Sequence, residues 1–375
     1  MNSILNRKKV TAIVFMVCLI IYSGINIMKG EFVGKYAFME GYGLYQNILG
    51  KNEYNNFKYV KDKDGFMYYG AINKFDNEWY LEKIASSIKN LSEKYNDIKF
   101  LVATPPDRAY DGKINGYFGL DYTNSTLNID VYYEYLKEYG IDTLDYRNNF
   151  IESNYIKEDL YYKSDHHWTT RGAFLAFQTM VDKLKKDGVL LENYNYYTDI
   201  NNYKAIKYEE RFLGSYGRSM GYVYTGIDDY EFLLPKFNTL YTFEKIKEDG
   251  TNQKVTGSFE DVLINKGILN SDASIYEQDI YSAYCDGVLY PLGKITNMNN
   301  NNGPRILLIR DSYSSSFAAF LSTVCSEVDL LYPFYDVDFD EVISSNNYDY
   351  VIFSGYCGTL GNELYDRFVE KYSTK

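Results

Sequence analysis

The segment that decides the fold is Ile306-Leu307-Leu308-Ile309-Arg310-Asp311-Ser312-Tyr313-Ser314, in which an apolar run leads directly into a polar turn. A short continuous run of large aliphatic residues is typical of a strand buried on both faces, as in parallel sheets. The turn after such a strand lies at the carboxyl edge of the sheet, where open α/β folds bind ligands. The segment therefore predicts that Ser312 lies at a ligand-binding edge, just ahead of a helix.

Outward from this segment, strands and helices alternate regularly. Short apolar strands are predicted at 98–103, 140–145, 305–309, 328–332 and 348–353. Helices are predicted at 77–95, 131–139, 170–186, 314–325, 338–345 and 360–372. This alternation predicts an α/β fold in which a parallel sheet is covered by helices on both faces. Residues 187–302 are rich in Tyr and Asn, and we expect them to form a large, mixed β-rich insertion.

The N-terminal residues predict a membrane anchor. Residues 10–28 form an apolar run after the basic cluster Arg7-Lys8-Lys9. As a helix this run is about 28 Å long, close to the roughly 30 Å hydrocarbon core of a bilayer. The positive-inside rule places the basic cluster in the cytoplasm and the rest of the chain outside. A cleaved signal peptide is the alternative, because Ser23-Gly24 offers small residues, but no small-x-small cleavage pattern precedes Lys29.

We therefore expect a single-pass protein of the cell membrane. Residues 1–30 are assigned to a cytoplasmic tail and signal anchor, with one N-terminal transmembrane helix. Residues 31–375 are assigned to an extracytoplasmic domain, which the insertion interrupts at about 187–302.

The composition excludes several classes of protein. The 375 residues carry a net charge of −12, which argues against a basic surface for nucleic acid. Cys285, Cys325 and Cys357 follow the predicted anchor without a Cys-x-x-Cys pair, so neither a disulfide scaffold nor a cysteine metal site is expected. The chain has only two histidines, so any reaction that requires an imidazole depends on His166 or His167.

Both histidines lie in the segment Asp165-His166-His167-Trp168-Thr169-Thr170. Thr169 or Thr170 is a suitable helix cap, which places His167 just before a helix start, where a neutral imidazole is favoured. Asp165, two residues earlier, is placed to orient the far ring nitrogen, as the acid of a Ser-His-Asp triad does. Together with Ser312, the segment favours a hydrolase or an acyltransferase.

Three further roles for these residues stay open from the sequence alone. Asp311 or Ser312 is also a common type of helix cap. The Asp-His-His run is a possible metal cluster, although three consecutive residues rarely direct their side chains to one ion. Either histidine is also compatible with a core position and satisfied hydrogen bonds.

The run Asp165-His166-His167-Trp168 resembles the signature of the DHHW family, which is related to the SGNH-hydrolase-like acetyltransferases of alginate biosynthesis. The following Thr169-Thr170 and Gly172-Ala173 fit the same pattern. The later Ser312-Tyr313-Ser314 resembles that family's Ser-Tyr-Ser core. The resemblance extends over roughly residues 60–186 and 303–375 and is specific only at these two motifs.

The resemblance implies an SGNH-like, flavodoxin-like fold and assigns three roles. Asp165 would be the orienting acid, His167 the general base and Ser312 the nucleophile. The order Asp, His, Ser fits the permuted arrangement of the alginate-modifying relatives. Because Arg310 stands where those proteins have Gly before Asp-Ser, the resemblance does not assign an oxyanion hole.

The expected function is that of a membrane-anchored, extracytoplasmic O-acetyltransferase or acetylesterase acting on a cell-surface or secreted polysaccharide, without a metal or organic cofactor. His166, Trp168, Tyr313 and Arg218 are predicted to contact the substrate. A membrane acyl-donor protein is a candidate partner, and no nucleic-acid partner is expected. The alternative is a non-catalytic glycan-binding or assembly protein on the same scaffold, and a metallohydrolase is a third class. A surface-exposed Ser312 within hydrogen-bond reach of His167 would favour the enzyme, whereas a buried Ser312 or a blocked cleft would favour the binding protein.

Overall fold

The computed structural model describes residues 13–14, 16–17, 34–69, 78–115, 124–189, 193–269, 272–360 and 363–373. Within these residues, no helix is both long enough and apolar enough to cross a membrane. The predicted tail and anchor, residues 1–30, lie outside them except at 13–14 and 16–17.

The N-terminal part of the described chain forms one helix and a small antiparallel sheet. These elements are α1 (Lys35–Ile48), β1 (Glu53–Tyr54), β2 (Tyr59–Lys61) and β3 (Met67–Tyr69). The later helices are α2 (Glu78–Lys94), α3 (Asn124–Glu138), α4 (Arg147–Glu152), α5 (Lys157–Leu160), α6 (Thr170–Lys186), α7 (Tyr194–Tyr197), α8 (Ser215–Met220), α9 (Tyr222–Thr225), α10 (Phe259–Leu263), α11 (Ser314–Leu321), α12 (Phe339–Ser344) and α13 (Asp366–Tyr372). The later strands are β4 (Lys99–Val102), β5 (Asp142–Thr143), β6 (Tyr203–Phe212), β7 (Asp228–Pro235), β8 (Tyr241–Ile246), β9 (Asn252–Gly257), β10 (Leu292–Asn297), β11 (Arg305–Arg310), β12 (Glu327–Leu331) and β13 (Tyr350–Ser354).

The central sheet of the described residues has eight strands in the order β5-β4-β13-β11-β12-β10-β8-β9. The first five are parallel to one another, as predicted. The sheet is nevertheless mixed, because β10, β8 and β9 extend it in antiparallel register. Residues 292–296 pair with residues 327–331 and so cover the edge of β12 that would otherwise be open. Part of the predicted insertion therefore belongs to the main sheet, while β6 and β7 form a separate antiparallel pair.

Both faces of the sheet are buried, which explains the continuous apolar pattern of β11. Ile306 and Leu308 belong to a core shared with α6 and α11. Leu307 and Ile309 belong to a second core, shared with α2, α3, α12 and α13. Because successive side chains point to opposite faces, a strand between two cores has no polar face.

Several helix ends differ from the predicted ones for local reasons. Helix α6 has the predicted bounds, since Thr169 caps it by accepting a hydrogen bond from the Gly172 amide. Helix α11 ends at Leu321, four residues early, where the hydroxyls of Ser322 and Thr323 donate to carbonyls of the preceding turn. The final helix begins only at Asp366, after a 3-10 turn over Glu363–Tyr365.

Candidate active site

Ser312 lies on the turn between β11 and α11, at the carboxyl edge of the sheet. The Asp311 carboxylate holds this turn, since Oδ1 accepts from the Tyr313 amide at 3.0 Å and Oδ2 from the Tyr356 amide at 2.7 Å. The Thr359 hydroxyl also donates to Oδ2, at 3.2 Å. Asp311 therefore holds the turn, whereas α11 has Tyr313 as its N-cap and no side-chain cap, so the hydroxyl of the partly exposed Ser312 is not used for capping.

The Ser312 hydroxyl lies beside the imidazole of His167, a residue 145 positions earlier in the chain. Its Oγ is 2.8 Å from His167 Nε2. On the other side of the ring, His167 Nδ1 is 2.5 Å from Asp165 Oδ1. The structure thus brings the acid, the imidazole and the hydroxyl together in one continuous hydrogen-bonded chain. This arrangement allows the imidazole to accept a proton from Ser312 while its other N–H donates to a carboxylate.

Asp165 is buried, and each of its carboxylate oxygens has a fixed donor. Besides the ring nitrogen, Oδ1 accepts from the His167 amide at 2.9 Å, and Oδ2 accepts from the Ser215 amide at 2.6 Å. Burial alone would raise the pKa of Asp165, but the two neighbouring imidazoles and these hydrogen bonds together lower it well below its ordinary value. The group is therefore an oriented carboxylate at neutral pH.

The imidazole of His167 is held between two other rings. Tyr281 stacks on it at 3.7 Å between ring centroids with an interplanar angle of 13°. The ring of His166 lies 3.8 Å away, tilted by 36°. The Tyr281 hydroxyl and the Trp168 indole N–H both donate to the Tyr313 carbonyl, at 3.1 Å and 2.9 Å. These bonds tie the histidine segment to the turn that carries Ser312.

A second set of contacts fixes the backbone just before Asp165. Asp228 accepts from the Lys163 amide at 2.9 Å, from the Ser164 amide at 2.7 Å and from the Ser164 hydroxyl at 2.6 Å. From the opposite side, the buried Arg108 guanidinium donates to the Asp165 carbonyl. The backbone position of Asp165 is therefore set by charged groups from two distant parts of the chain.

The loop that starts at Gly214 packs directly on Asp165. A Cβ at Gly214 would lie 2.1 Å from the Cβ of Asp165, so no larger residue fits there. The close approach lets the Ser215 amide reach the carboxylate, and it places the Ser215 hydroxyl 2.9 Å from His166 Nδ1. The Gly-Ser pair is thus a structural part of the site.

The residues predicted to contact substrate have different positions. Trp168 and Tyr313 are fully buried in the core, so they stabilise the site and do not offer a surface to a substrate. The His166 side chain is 31% exposed beside His167, and burial together with the neighbouring imidazole lowers the pKa of His166 to about 3. Arg218 is half-buried, donates to the Gln278 carbonyl at 3.0 Å and lies 3.5 Å from the Asp279 carboxylate.

Sequence reasoning missed Tyr281, Asp228 and Arg108. Tyr281 is one of 43 tyrosines and lies in a segment without clear periodicity, so its residue type did not mark it as a site residue. Arg108 follows β4 at the same edge of the sheet as Ser312, and this placement is the one feature that could have indicated it.

The possible metal ligands of the described residues also converge here. Donor atoms of Asp165, His166 and His167 lie within 4.8 Å of one another. However, Asp165 already accepts hydrogen bonds at both oxygens, and His166 Nδ1 is bonded to the Ser215 hydroxyl. A cation would have to displace these hydrogen bonds. The donor set therefore fits a hydrogen-bonded relay, Asp165–His167–Ser312, better than a metal centre.

With this geometry established, the chain was compared with known proteins. The family model that matches is the SGNH hydrolase-like domain of the acetyltransferase AlgX, over residues 74–202. The predicted resemblance is confirmed. The matched region includes the Asp165–Trp168 motif and ends before the turn that carries Ser312. A search of the curated proteins found no match.

Solved structures share most of the fold. Bacillus cereus PatB1, determined with a sulfonyl adduct, has a TM-score of 0.64 and 20% identity over 84% of this chain and 100% of that chain. A DHHW family protein from Eubacterium siraeum has a TM-score of 0.61 and 16% identity, over 84% of this chain and 95% of that chain. At these identities the likeness establishes the fold alone. The family match describes the α/β fold as containing an SGNH-like domain, and the sheet of this fold is mixed.

Proposed function

We propose that this protein is a serine-dependent O-acetyltransferase or acetylesterase for a cell-surface or secreted polysaccharide. The observation that carries the proposal is the 2.8 Å contact between the partly exposed Ser312 hydroxyl and His167 Nε2, with His167 Nδ1 bonded to the buried Asp165. The match to an acetyltransferase family model supports the type of reaction. Residues 10–28 anchor the enzyme in the cell membrane in this proposal, with the catalytic domain outside.

In the first half-reaction, Ser312 Oγ attacks the carbonyl carbon of an acetyl ester or thioester. His167 Nε2 takes the hydroxyl proton as the carbon–oxygen bond forms. The tetrahedral intermediate then collapses, the bond to the leaving group breaks, and His167 returns the proton to that group. Asp165 stabilises the imidazolium that exists between these two proton transfers. The product is an acetyl ester on Ser312.

In the second half-reaction, a sugar hydroxyl or water attacks the acetyl ester on Ser312. His167 removes the proton of the attacking oxygen and delivers it to Ser312 Oγ as that atom leaves. A sugar hydroxyl gives an acetylated glycan, whereas water gives free acetate. In this proposal the amide of Ser312, on the turn just before α11, donates to the developing oxyanion.

The non-catalytic alternative is less well supported by the geometry. A binding protein has no need for an imidazole held in a defined orientation against a partly exposed hydroxyl. A metallohydrolase would need the bonds around Asp165 and His166 to break. A non-catalytic protein predicts no turnover even in wild type, whereas a metallohydrolase predicts turnover that survives replacement of Ser312.

The proposal is tested with the full chain in detergent, by following the turnover of a small chromogenic acetyl ester. Ser312→Ala should lower kcat/KM by at least about 10²-fold, because nucleophile and base act as a unit. Ser316→Ala is the matched control, since this buried hydroxyl of α11 has no hydrogen-bond partner within the described residues. A soluble glycan acceptor then separates transfer from hydrolysis. Equal turnover in wild type and Ser312→Ala would contradict the proposed reaction.

A further inference from the structure

Helix α1 presents its polar side to the protein and its apolar side to the exterior. Glu40 accepts hydrogen bonds from the amides of Tyr222 and Val223 at 2.9 Å and 2.8 Å, and also from the Tyr276 hydroxyl. Asn47 Nδ2 donates to the Val223 carbonyl at 2.6 Å. This is the reverse of an ordinary surface helix, whose apolar stripe faces the core.

The outward-facing positions form one continuous apolar strip. Six large side chains of α1 and its C-terminal cap are exposed by 45% to 74%: Phe38, Tyr42, Leu44, Tyr45, Ile48 and Leu49. Phe38, Tyr42, Tyr45 and Leu49 recur at helical spacing, and Leu44 and Ile48 form the adjacent row. An apolar strip of this kind on an otherwise acidic, globular protein marks a surface that another apolar phase covers.

The position of α1 along the chain indicates which apolar surroundings cover this strip. The predicted anchor ends at Met28, and α1 begins at Lys35. Six intervening residues reach at most about 20 Å when fully extended, so α1 cannot lie far from the membrane surface. Gly34, with a φ of 86°, precedes α1 and separates it from any helix before it.

The local charge also fits a membrane surface. Residues 34–61 contain four lysines and two glutamates, whereas the whole chain has a net charge of −12. Glu40 and Lys61 are both turned inward, since Glu40 accepts from the α9 backbone and Lys61 Nζ donates to the Tyr224 carbonyl, which leaves three lysines and one glutamate. The segment around α1 is therefore locally basic, and its tyrosines are residues that favour the interface between lipid and water.

We propose that the outer strip of α1 lies in the interfacial layer of the membrane that holds residues 10–28. This inference rests on the membrane anchoring in the proposed function, but not on the acetyl chemistry. It also links the membrane to the site: α1 packs on α9, which follows α8, and the first residue of α8 is Ser215, which donates to Asp165. The candidate active site is thus held at a fixed height above the lipid surface.

The test places a polarity-sensitive fluorophore on the full chain in vesicles of phosphatidylglycerol and phosphatidylcholine. The label is attached at Ile48→Cys in a Cys18→Ser background, because the other three cysteines are buried. Met298→Cys is the matched control, an exposed apolar position beside the amino ends of the parallel strands, at the opposite edge from Ser312. We expect a blue-shifted emission that brominated lipids quench at position 48, and neither change at position 298.

Three outcomes overturn the inference. A sedimenting chain whose label at 48 emits as in water would mean that the strip faces solvent. A blue shift that brominated lipids do not quench would mean that protein, such as a second copy, covers the strip. A chain that does not sediment with vesicles would contradict both the anchor and the strip. Absence of ester turnover with a quenched label would contradict only the acetyl reaction.

Discussion

Two adjacent histidines in this protein have different environments, although they share one sequence motif. His167 lies between the Asp165 carboxylate and the Ser312 hydroxyl, so both of its ring nitrogens are part of the relay. His166 is bonded through Nδ1 to the Ser215 hydroxyl and packs against the face of His167. The first environment suits a proton-transfer group, and the second suits a neutral supporting group.

Replacement of the two histidines should therefore have unequal effects. His167→Ala should lower kcat/KM for an acetyl ester by about 10²–10⁴-fold, the usual contribution of a general base. His166→Ala should cause a clearly smaller loss, because it removes packing and leaves the relay intact. Kinetics of both variants in detergent, with thermal melting as the folding control, check this ranking. The reverse ranking would show that the relay has been assigned to the wrong ring.

The lowered pKa of His166 predicts a pH dependence of stability. With a folded-state pKa of about 3 and an ordinary value of 6.5, the unfolded chain binds a proton at His166 between these pH values and the folded chain does not. This group therefore costs stability progressively as the pH falls below 6.5. His166→Gln removes the cost, so the variant should gain stability relative to wild type between about pH 7.5 and about pH 5. Urea unfolding at both pH values measures this difference, and a constant difference would contradict it.

Among the elements, two segments far apart in the sequence bind the turn that carries Ser312. The 3-10 turn Ile280–Ala283 supplies Tyr281, which stacks on His167 and donates to the Tyr313 carbonyl. Trp168 donates to the same carbonyl from the start of α6. Tyr281 is thus a positioning residue, which acts through the ring and turn that it contacts.

Substitutions of Tyr281 separate its stacking on His167 from its hydrogen bond to the Tyr313 carbonyl. Tyr281→Phe keeps the stacked ring and should retain most activity. Tyr281→Ala removes the ring and should lower kcat by about 10-fold or more with little change in KM. The reason is that a misplaced base slows the chemical step without weakening ground-state binding. The kcat and KM values of both variants measure these effects. Equal losses in the two variants, or a change in KM alone, would contradict a positioning role for the ring.

The predictable parts of the site are those that lie at junctions of regular elements. Ser312 follows a buried strand, so local pattern places it at the edge of the sheet, and His167 precedes a capped helix, so local pattern places it at a helix start. Tyr281 and Asp228 lie in the Tyr- and Asn-rich segment, where neither periodicity nor residue type indicates which side chains turn toward the site. Their positions depend on how β7 and the 280–283 turn pack on α6 and the sheet, which is tertiary information.

In the molecule as a whole, local sequence pattern predicts only part of the central sheet. The parallel half was predictable, because its strands are apolar throughout and alternate with helices. The antiparallel half was not, because β8, β9 and β10 are only partly buried and have weak apolar patterns. Pairing of β10 with β12 joins the predicted insertion to the main sheet. The result is one fold whose site combines residues from Arg108 to Thr359.

Covalent capture of the nucleophile in the full chain tests the proposed serine-dependent reaction most directly. A sulfonyl or phosphonate reagent that mimics an acetyl donor is allowed to react, and the adduct is located by peptide mass spectrometry. We predict one adduct, on Ser312, whose rate of formation falls by at least about 10²-fold in His167→Ala and is unchanged in Ser316→Ala. An adduct on another residue, or labelling of Ser312 that does not depend on His167, would contradict the proposed nucleophile and base.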